Sequence, residues 1–476
     1  MEDTAKLSTT SYLLEDQTYQ SYGVHTPRRQ SIMNAVKLQP EVSKVNFVCG
    51  MIHYALIAFS FATIITLQPF LILSQNYFNI QQKDSGILIS LIVVIQIIMK
   101  VCLSTVYRRC TEKFGRKGVI FFGGLSFLLG CILLPLQKSI FPGLIISNLL
   151  ISNGNAAISV IPLFADSIAD DSKARAAGFS TLFMGVAALL ANLFIKILFY
   201  AEASLTACSI ITGGIVFVGL VVNSFGITER GYYDQERPLP QESYEGNVSQ
   251  EYNVSEAIQN FRTNGWALIA LILQALGSSN FFIFFTFVTL YIKSKFSGYS
   301  DENSQDIIVN NIQTLIFAPS LLFNVIYGYF INKQTRAFGL SICILLGGIC
   351  SFILMAVAQD PDDGYIIVGC LLMGITIPGF NIIAGYLGVR NFPTGVRMIM
   401  IGIMGLVGAF GYFLTAIVGG LLYEYWSTNG IFIIGAIIFG ISLIVITIIY
   451  KIMISVKRER NMSWASNNES MFINNA

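Results

Sequence analysis

The chain has 476 residues, 54% of them hydrophobic and only 12% charged, with a formal net charge of +2 and a mean hydropathy of +0.66. A soluble domain carries about a quarter charged residues because its surface faces water, so this composition excludes an ordinary soluble enzyme or nucleic-acid-binding module. Apolar windows of the ~18 residues needed to cross a ~30 Å hydrocarbon core recur along the chain. No water satisfies the backbone there, so these windows must be helical, and the alternating polarity of a membrane barrel is missing.

Residues 1–45 are a polar tail with no apolar core and cleavage site, so the first span is expected to direct insertion. Span 1 (47–75) carries Thr63, Thr66 and Gln68 ahead of Pro69. His53 near its start fits either an interfacial position or a proton-linked role. Span 2 (86–107) places Gln96 and Lys100 on one face; the lysine either snorkels to the headgroups or holds an anionic group of a solute. Span 3 (117–137) is followed by span 4 (141–165), where Asn148, Ser152, Asn155 and Ser159 share one helical face. Such a stripe is costly toward lipid and suits either helix–helix hydrogen bonds or a bound solute. Span 5 (176–200) adds Asn192 and, near its far end, Lys196; span 6 (204–227) closes the first set.

Residues 228–262 are rich in Glu, Gln, Tyr and Pro and are expected to form a flexible linker. Span 7 (264–292) carries Gln274, Ser278, Ser279 and Asn280 ahead of Phe281, Phe282, Phe284 and Phe285. Amides beside rings suit a solute with polar groups and an apolar face, while such rings also serve simple packing or lipid contact. Span 8 (310–331) has Asn324, span 9 (337–358) is apolar, and span 10 (364–388) has Gly374, Pro378, Asn381 and Gly385, which favour close packing and bending. Span 11 (397–423) carries Tyr412 and Thr415, and span 12 (430–454) precedes a tail at 456–476. The eight cysteines (Cys49, Cys102, Cys110, Cys131, Cys208, Cys343, Cys350, Cys370) have no metal-ligand or paired spacing and read as small apolar residues.

Charge orients these spans. With both termini cytoplasmic, 23 of the 29 Lys/Arg fall inside, while Lys83, Lys138, Lys293 and Lys295 fall on the opposite side. That asymmetry is the positive-inside pattern, and it would vanish if one span in the middle were missed or invented. The expected architecture is an all-α membrane protein of twelve transmembrane helices in two six-helix bundles, 46–227 and 263–455. On that topology the linker is cytoplasmic, and Asn247 and Asn253 match the N-glycosylation pattern by chance.

The halves also echo each other. After span 2 come Glu112, Lys113, Gly115, Arg116 and Lys117; after span 8 come Gly328, Asn332, Lys333 and Arg336 in similar order. Ile161-Pro162-Leu163-Phe164 in span 4 is matched by Ile377-Pro378-Gly379-Phe380 in span 10, each followed by an arginine, Arg175 or Arg397, at the next helix. With these repeats the chain resembles the major facilitator superfamily over about 47–455. The family's loop pattern is a Gly, an Asp-Arg pair, then Gly-Arg-Lys/Arg. Gly115-Arg116-Lys117 is kept, Glu112-Lys113 stands for the acid–base pair, and Arg108 replaces the leading Gly. The stretch from Asp166 to Gly178 looks like the loop between helices 4 and 5 of drug- and solute-carrying members.

The resemblance implies alternating access, with helices 1, 4, 7 and 10 around a central cavity. The repeated loop residues and Asp166 would then form a cytoplasmic gate, since acids at helix ends can pair with Arg/Lys and with neighbouring helix N-termini; the basic residues equally serve to fix topology. No Asp or Glu stands near the middle of any span, and span 5 lacks the Gly-Pro signature of many antiporters in the family. The expected function is facilitated diffusion of a small polar organic solute. A proton-coupled symporter or antiporter, and a non-transporting receptor or structural subunit, remain as alternatives. The partners are a small-molecule solute and the lipid bilayer, without nucleic acid, cofactor or metal, and the chain is expected to be a monomer rather than an enzyme or a larger assembly.

Overall fold

The computed structural model describes residues 31–32, 36–38, 44–74, 77–78, 80, 82–160, 173–226, 264–296, 302–331, 333–359, 364–390 and 394–474. A short antiparallel pair, Ser31–Ile32 (β1) with Val36–Lys37 (β2), precedes the helices. In the first half these are Lys44–Leu73 (α1), Gln82–Leu133 (α2), Ile145–Val160 (α3), Lys173–Tyr200 (α4) and Leu205–Gly226 (α5). The second half has Gly265–Phe282 (α6), Thr289–Phe296 (α7), Glu302–Phe330 (α8), Gln334–Val357 (α9), Gly364–Arg390 (α10), Thr394–Tyr425 (α11) and Gly430–Asn474 (α12). Among the described residues, ten helical segments are long and apolar enough to cross a membrane.

Four boundaries differ from those expected. Helix α2 contains both the second and the third span, as two arms meeting at Gly115 (φ 76°, ψ 166°). That conformation is essentially open to glycine alone, which gives the glycine of the loop motif a physical reason. Helices α6 and α7 are joined by a π-helical stretch, Ile283–Val288, into one rod. The rod carries Lys293 and Lys295 inside it, where the sequence reading had them in a loop. Helix α8 starts eight residues before the expected 310, at Glu302, and α12 continues through what was read as a tail, to Asn474.

Packing within each half joins consecutive and sequence-distant helices alike: α1 on α4 and α5, α2 on α3 and α5, and α10 on α6, α8 and α9. Lipid and side chain are about equally apolar, so close fit rather than exclusion of water holds such helices together. Gly154 is one such fit, because a Cβ there would lie 2.4 Å from Phe127 Cβ. Apolar residues left exposed form lipid-facing stripes, as with Ile437, Ile441, Ile444, Ile448 and Ile452 along α12.

The two halves meet along α2–α11 and α4–α8. Where α2 begins, a Cβ on Gly420 would sit 2.6 Å from Ser90 Oγ and 3.2 Å from the carbonyl of Gly86. One on Gly86 would sit 2.7 Å from Tyr423 Cδ1. At the same end α1 touches the π-helical stretch, and Lys293 Nζ lies 4.6 Å from the centre of the Phe70 ring.

Candidate functional site

Three carboxamides from three elements converge in the first half. Gln68 on α1 donates through Nε2 to Asn148 Oδ1 on α3. Gln96 on α2 donates through its own Nε2 to the same oxygen at 2.7 Å. Asn148 Nδ2 in turn donates to the Leu144 carbonyl at 2.9 Å. Gln68 and Asn148 are buried and Gln96 is half-buried. Ser152, one turn beyond Asn148, is buried and Asn155 is half-buried. Thr63 and Thr66 are buried in α1, where the Thr63 hydroxyl donates back to the Phe59 carbonyl, as membrane helices commonly satisfy a hydroxyl.

The second half has a looser counterpart. Asn280 Nδ2 on α6 donates to Thr376 Oγ1 on α10 at 3.3 Å, and Asn280 Oδ1 is buried without a partner. Ser279 Oγ donates to the Gly411 carbonyl on α11 at 3.0 Å. Gln274 and Ser278 face Gly408, where a Cβ would lie 2.8 Å from Ser278 Oγ and 3.2 Å from Gln274 Nε2. Phe281 and Phe282 both pack on Tyr412, with ring centroids 6.4 and 5.0 Å apart. Asn381 is exposed, yet a Cβ on Gly277 would sit 3.2 Å from its Oδ1, so it borders the α6–α10 crossing. Asn192 on α4 is buried, and neither amide atom has a partner among the described residues; such a group costs roughly 1–3 kcal/mol unless something meets it.

A cavity of 380 Å³ lies between α8, α9 and α10, with Phe323, Tyr327, Phe330 and Ile344 in its walls, and Thr376 reaches it. It is mostly apolar and separate from the amide cluster.

The charged residues differ from expectation. His53 is fully buried within the bundle, with Nδ1 2.7 Å from the Gly219 carbonyl on α5, and it pins α1 to α5. Lys293 is not a loop residue: its Nζ is 2.5 Å from Asp306 Oδ1 on α8, and both residues are buried. Beside this pair, Gln313 Nε2 donates to Thr289 Oγ1 at 2.7 Å, and Asn310 is wholly buried with neither amide atom partnered among the described residues. Starting span 8 at residue 310 hid this row. Asp306, Asn310 and Gln313 recur at helical spacing, and that was the available signal.

Of the expected gate, Gly115 is the hinge of α2, Lys117 accepts through its backbone carbonyl from Asn223 Nδ2 at 3.4 Å, and Gly328, Lys333 and Arg336 are exposed. Asp166 and Asn332 lie outside the described residues, as do the side chains of Lys100, Glu112, Lys113, Arg116, Ser159, Arg175 and Arg397.

The model of the Major Facilitator Superfamily matches residues 50–309 and 304–470. The chain belongs to this superfamily. It is a membrane transporter of small solutes, not an enzyme. Among solved structures it is similar to the nucleoside transporter NupG, with a TM-score of 0.63, 12% identity, and coverage of 86% of this chain and 100% of that one. A point mutant of the same transporter aligns with a TM-score of 0.64 and 13% identity over the same shares. At that identity the likeness is one of fold. No curated protein matches.

Proposed function

We propose that the chain carries a small, neutral polar organic solute by facilitated diffusion, through alternating access of two six-helix bundles, 46–227 and 263–455, joined by the linker 228–262. Both termini and the linker are cytoplasmic in this reading, and the side closed by Phe70, Lys293, Gly420 and Tyr423 faces outward. The chain works as a monomer. The observation that carries the reading is the chemistry of the interior, with neutral amides on α1, α2 and α3 in the first half and, in the second, Asn280 on α6 in the same helix as Phe281 and Phe282, which pack on Tyr412. Amides and rings together recognise hydroxyl and amine groups on a compact apolar frame.

A coupled mode is favoured by one observation, the buried Asp306. Its carboxylate is already neutralised by Lys293, at one end of the rod formed by α6 and α7, and this supports uniport. Purified protein in proteoliposomes tests both points. Uptake of neutral sugars, nucleosides or polyols should run down the solute gradient at a rate unaffected by an imposed pH gradient. Accumulation driven by the pH gradient would replace uniport with coupling. Flux of none of them by folded protein would sink the transport reading for these solutes.

A further inference from the structure

The amide cluster has an internal logic that fixes what it can offer a ligand, and the inference rests on the transport reading above. A main-chain carbonyl can only accept a hydrogen bond. The Leu144 carbonyl therefore dictates that the atom of Asn148 facing it, at 2.9 Å, is Nδ2. The other end of that carboxamide is then the oxygen, and an oxygen cannot meet two further oxygens. Gln68 and Gln96 must both turn their NH2 groups toward Asn148, as they do. Each amide has one oxygen and one nitrogen, so both Oε1 atoms point away from the cluster.

Neither Oε1 accepts a hydrogen bond from the described residues, and neither is among the buried atoms left without a partner. Neither oxygen is thus completely enclosed. They come from α1 and α2, two helices held at a common point by α3. Two acceptors locked in orientation are complementary to two donors and repel acceptor-only groups, because a misoriented lone pair leaves both oxygens desolvated and unpaired.

We infer that Gln68 Oε1 and Gln96 Oε1 form a paired-acceptor subsite that selects solutes presenting two adjacent O–H or N–H donors. Asn148 is its positioning residue, never touching the solute itself. The substrate class is narrowed accordingly: neutral solutes with a vicinal diol, a diamine or an amide–hydroxyl pair are taken, while acceptor-only groups such as carboxylates are refused. Without Asn148 Oδ1 the glutamines are free to flip and present nitrogen as readily as oxygen, so selectivity falls before affinity does.

The test uses full-length protein in detergent, with ligand-induced thermal stabilisation as the readout, so that it stands whether or not flux is found. The probes are glucose, myo-inositol and uridine, their O- or N-methylated counterparts, and the acceptor-only anions succinate and glutarate. At least one parent compound should stabilise wild type, with apparent Kd at least tenfold below that of its methylated form, and the anions should do nothing. In Asn148→Leu, similar in size and free of hydrogen bonds, that ratio should shrink several-fold toward one while the unliganded Tm stays measurable. Gln96→Met, at a half-buried position, should raise the Kd of the parent alone and serves if Asn148→Leu does not fold. Stabilisation by no donor-bearing probe, preference for a methylated or anionic one, or an unchanged ratio in the folded variants would overturn the inference. Absence of flux with the binding pattern intact would overturn only the transport reading.

Discussion

At the scale of single residues, the most consequential group is one the sequence reading placed in the wrong environment. Lys293 was counted among the charges beyond the membrane because a lysine after a phenylalanine-rich run reads as a helix end. The structure extends the rod and buries the ammonium between Asp306 and the face of Phe70. The ring contributes about 0.5–2 kcal/mol, and the carboxylate removes the larger cost of a buried charge. Asp306→Ala leaves that charge unpaired, so it should cost about 3–5 kcal/mol, read as a large drop in the Tm of purified protein. Lys293→Met with Asp306→Ala should recover most of the loss, since a well-packed apolar pair is often as stable as a buried ionic one. No recovery in the double variant would mean that the two residues act separately. By contrast, Gln68, Gln96 and Asn148 were legible as polar groups on span interiors. Their mutual hydrogen bonds were not, because contacts between α1, α2 and α3 span 52 to 80 positions in sequence.

At the scale of elements, helix existence was legible nearly everywhere and helix ends were not. Length and hydropathy report the hydrocarbon thickness, whereas α7, the start of α8 and the far end of α12 continue into polar sequence that a hydropathy window discards. The repeat after span 2 showed a conserved-looking loop pattern, yet it could not show that α2 is two arms bent at one glycine. The α2–α11 crossing makes a sharper claim. Gly420 faces Ser90 and the Gly86 carbonyl with no space for a side chain, and a main-chain obstacle cannot rotate aside. Gly420→Leu should therefore cost about 1–3 kcal/mol of overpacking in this state alone, shifting the balance of states roughly 5- to 150-fold toward the one open at this end. Spin labels at Glu202 and Gln359, exposed on the two halves at that end, should show the longer distance gaining population by double electron–electron resonance. An unchanged distribution would mean that the crossing does not move during transport.

At the scale of the whole molecule, the all-helical membrane class and the superfamily followed from composition, charge asymmetry and a duplicated loop. Orientation is the part that contacts cannot supply, since a bundle packs identically whichever way it faces. The proposed cytoplasmic placement of the termini therefore rests on electrostatics. Moving Lys293 and Lys295 into a helix strengthens it, because Lys293 is neutralised by Asp306 and Lys295 Nζ donates to the carbonyls of Ala358 and Gln359, each at 3.1 Å. Two of the four positive charges opposed to the assignment are thus engaged at helix ends instead of lying in a free loop. The linker at 228–262 must then lie on the side of the termini, out of reach of lumenal glycosylation. Asn247 and Asn253 should remain unmodified when the full chain is made in a eukaryotic secretory membrane, with no mobility shift on endoglycosidase treatment. A single cysteine at Glu202 in a cysteine-free background should react with an impermeant maleimide on intact cells, whereas one at Lys333 should react only after permeabilisation. Glycosylation of the linker, or the reverse order of labelling, would invert the molecule and with it the side on which the Phe70–Lys293 contact closes the path.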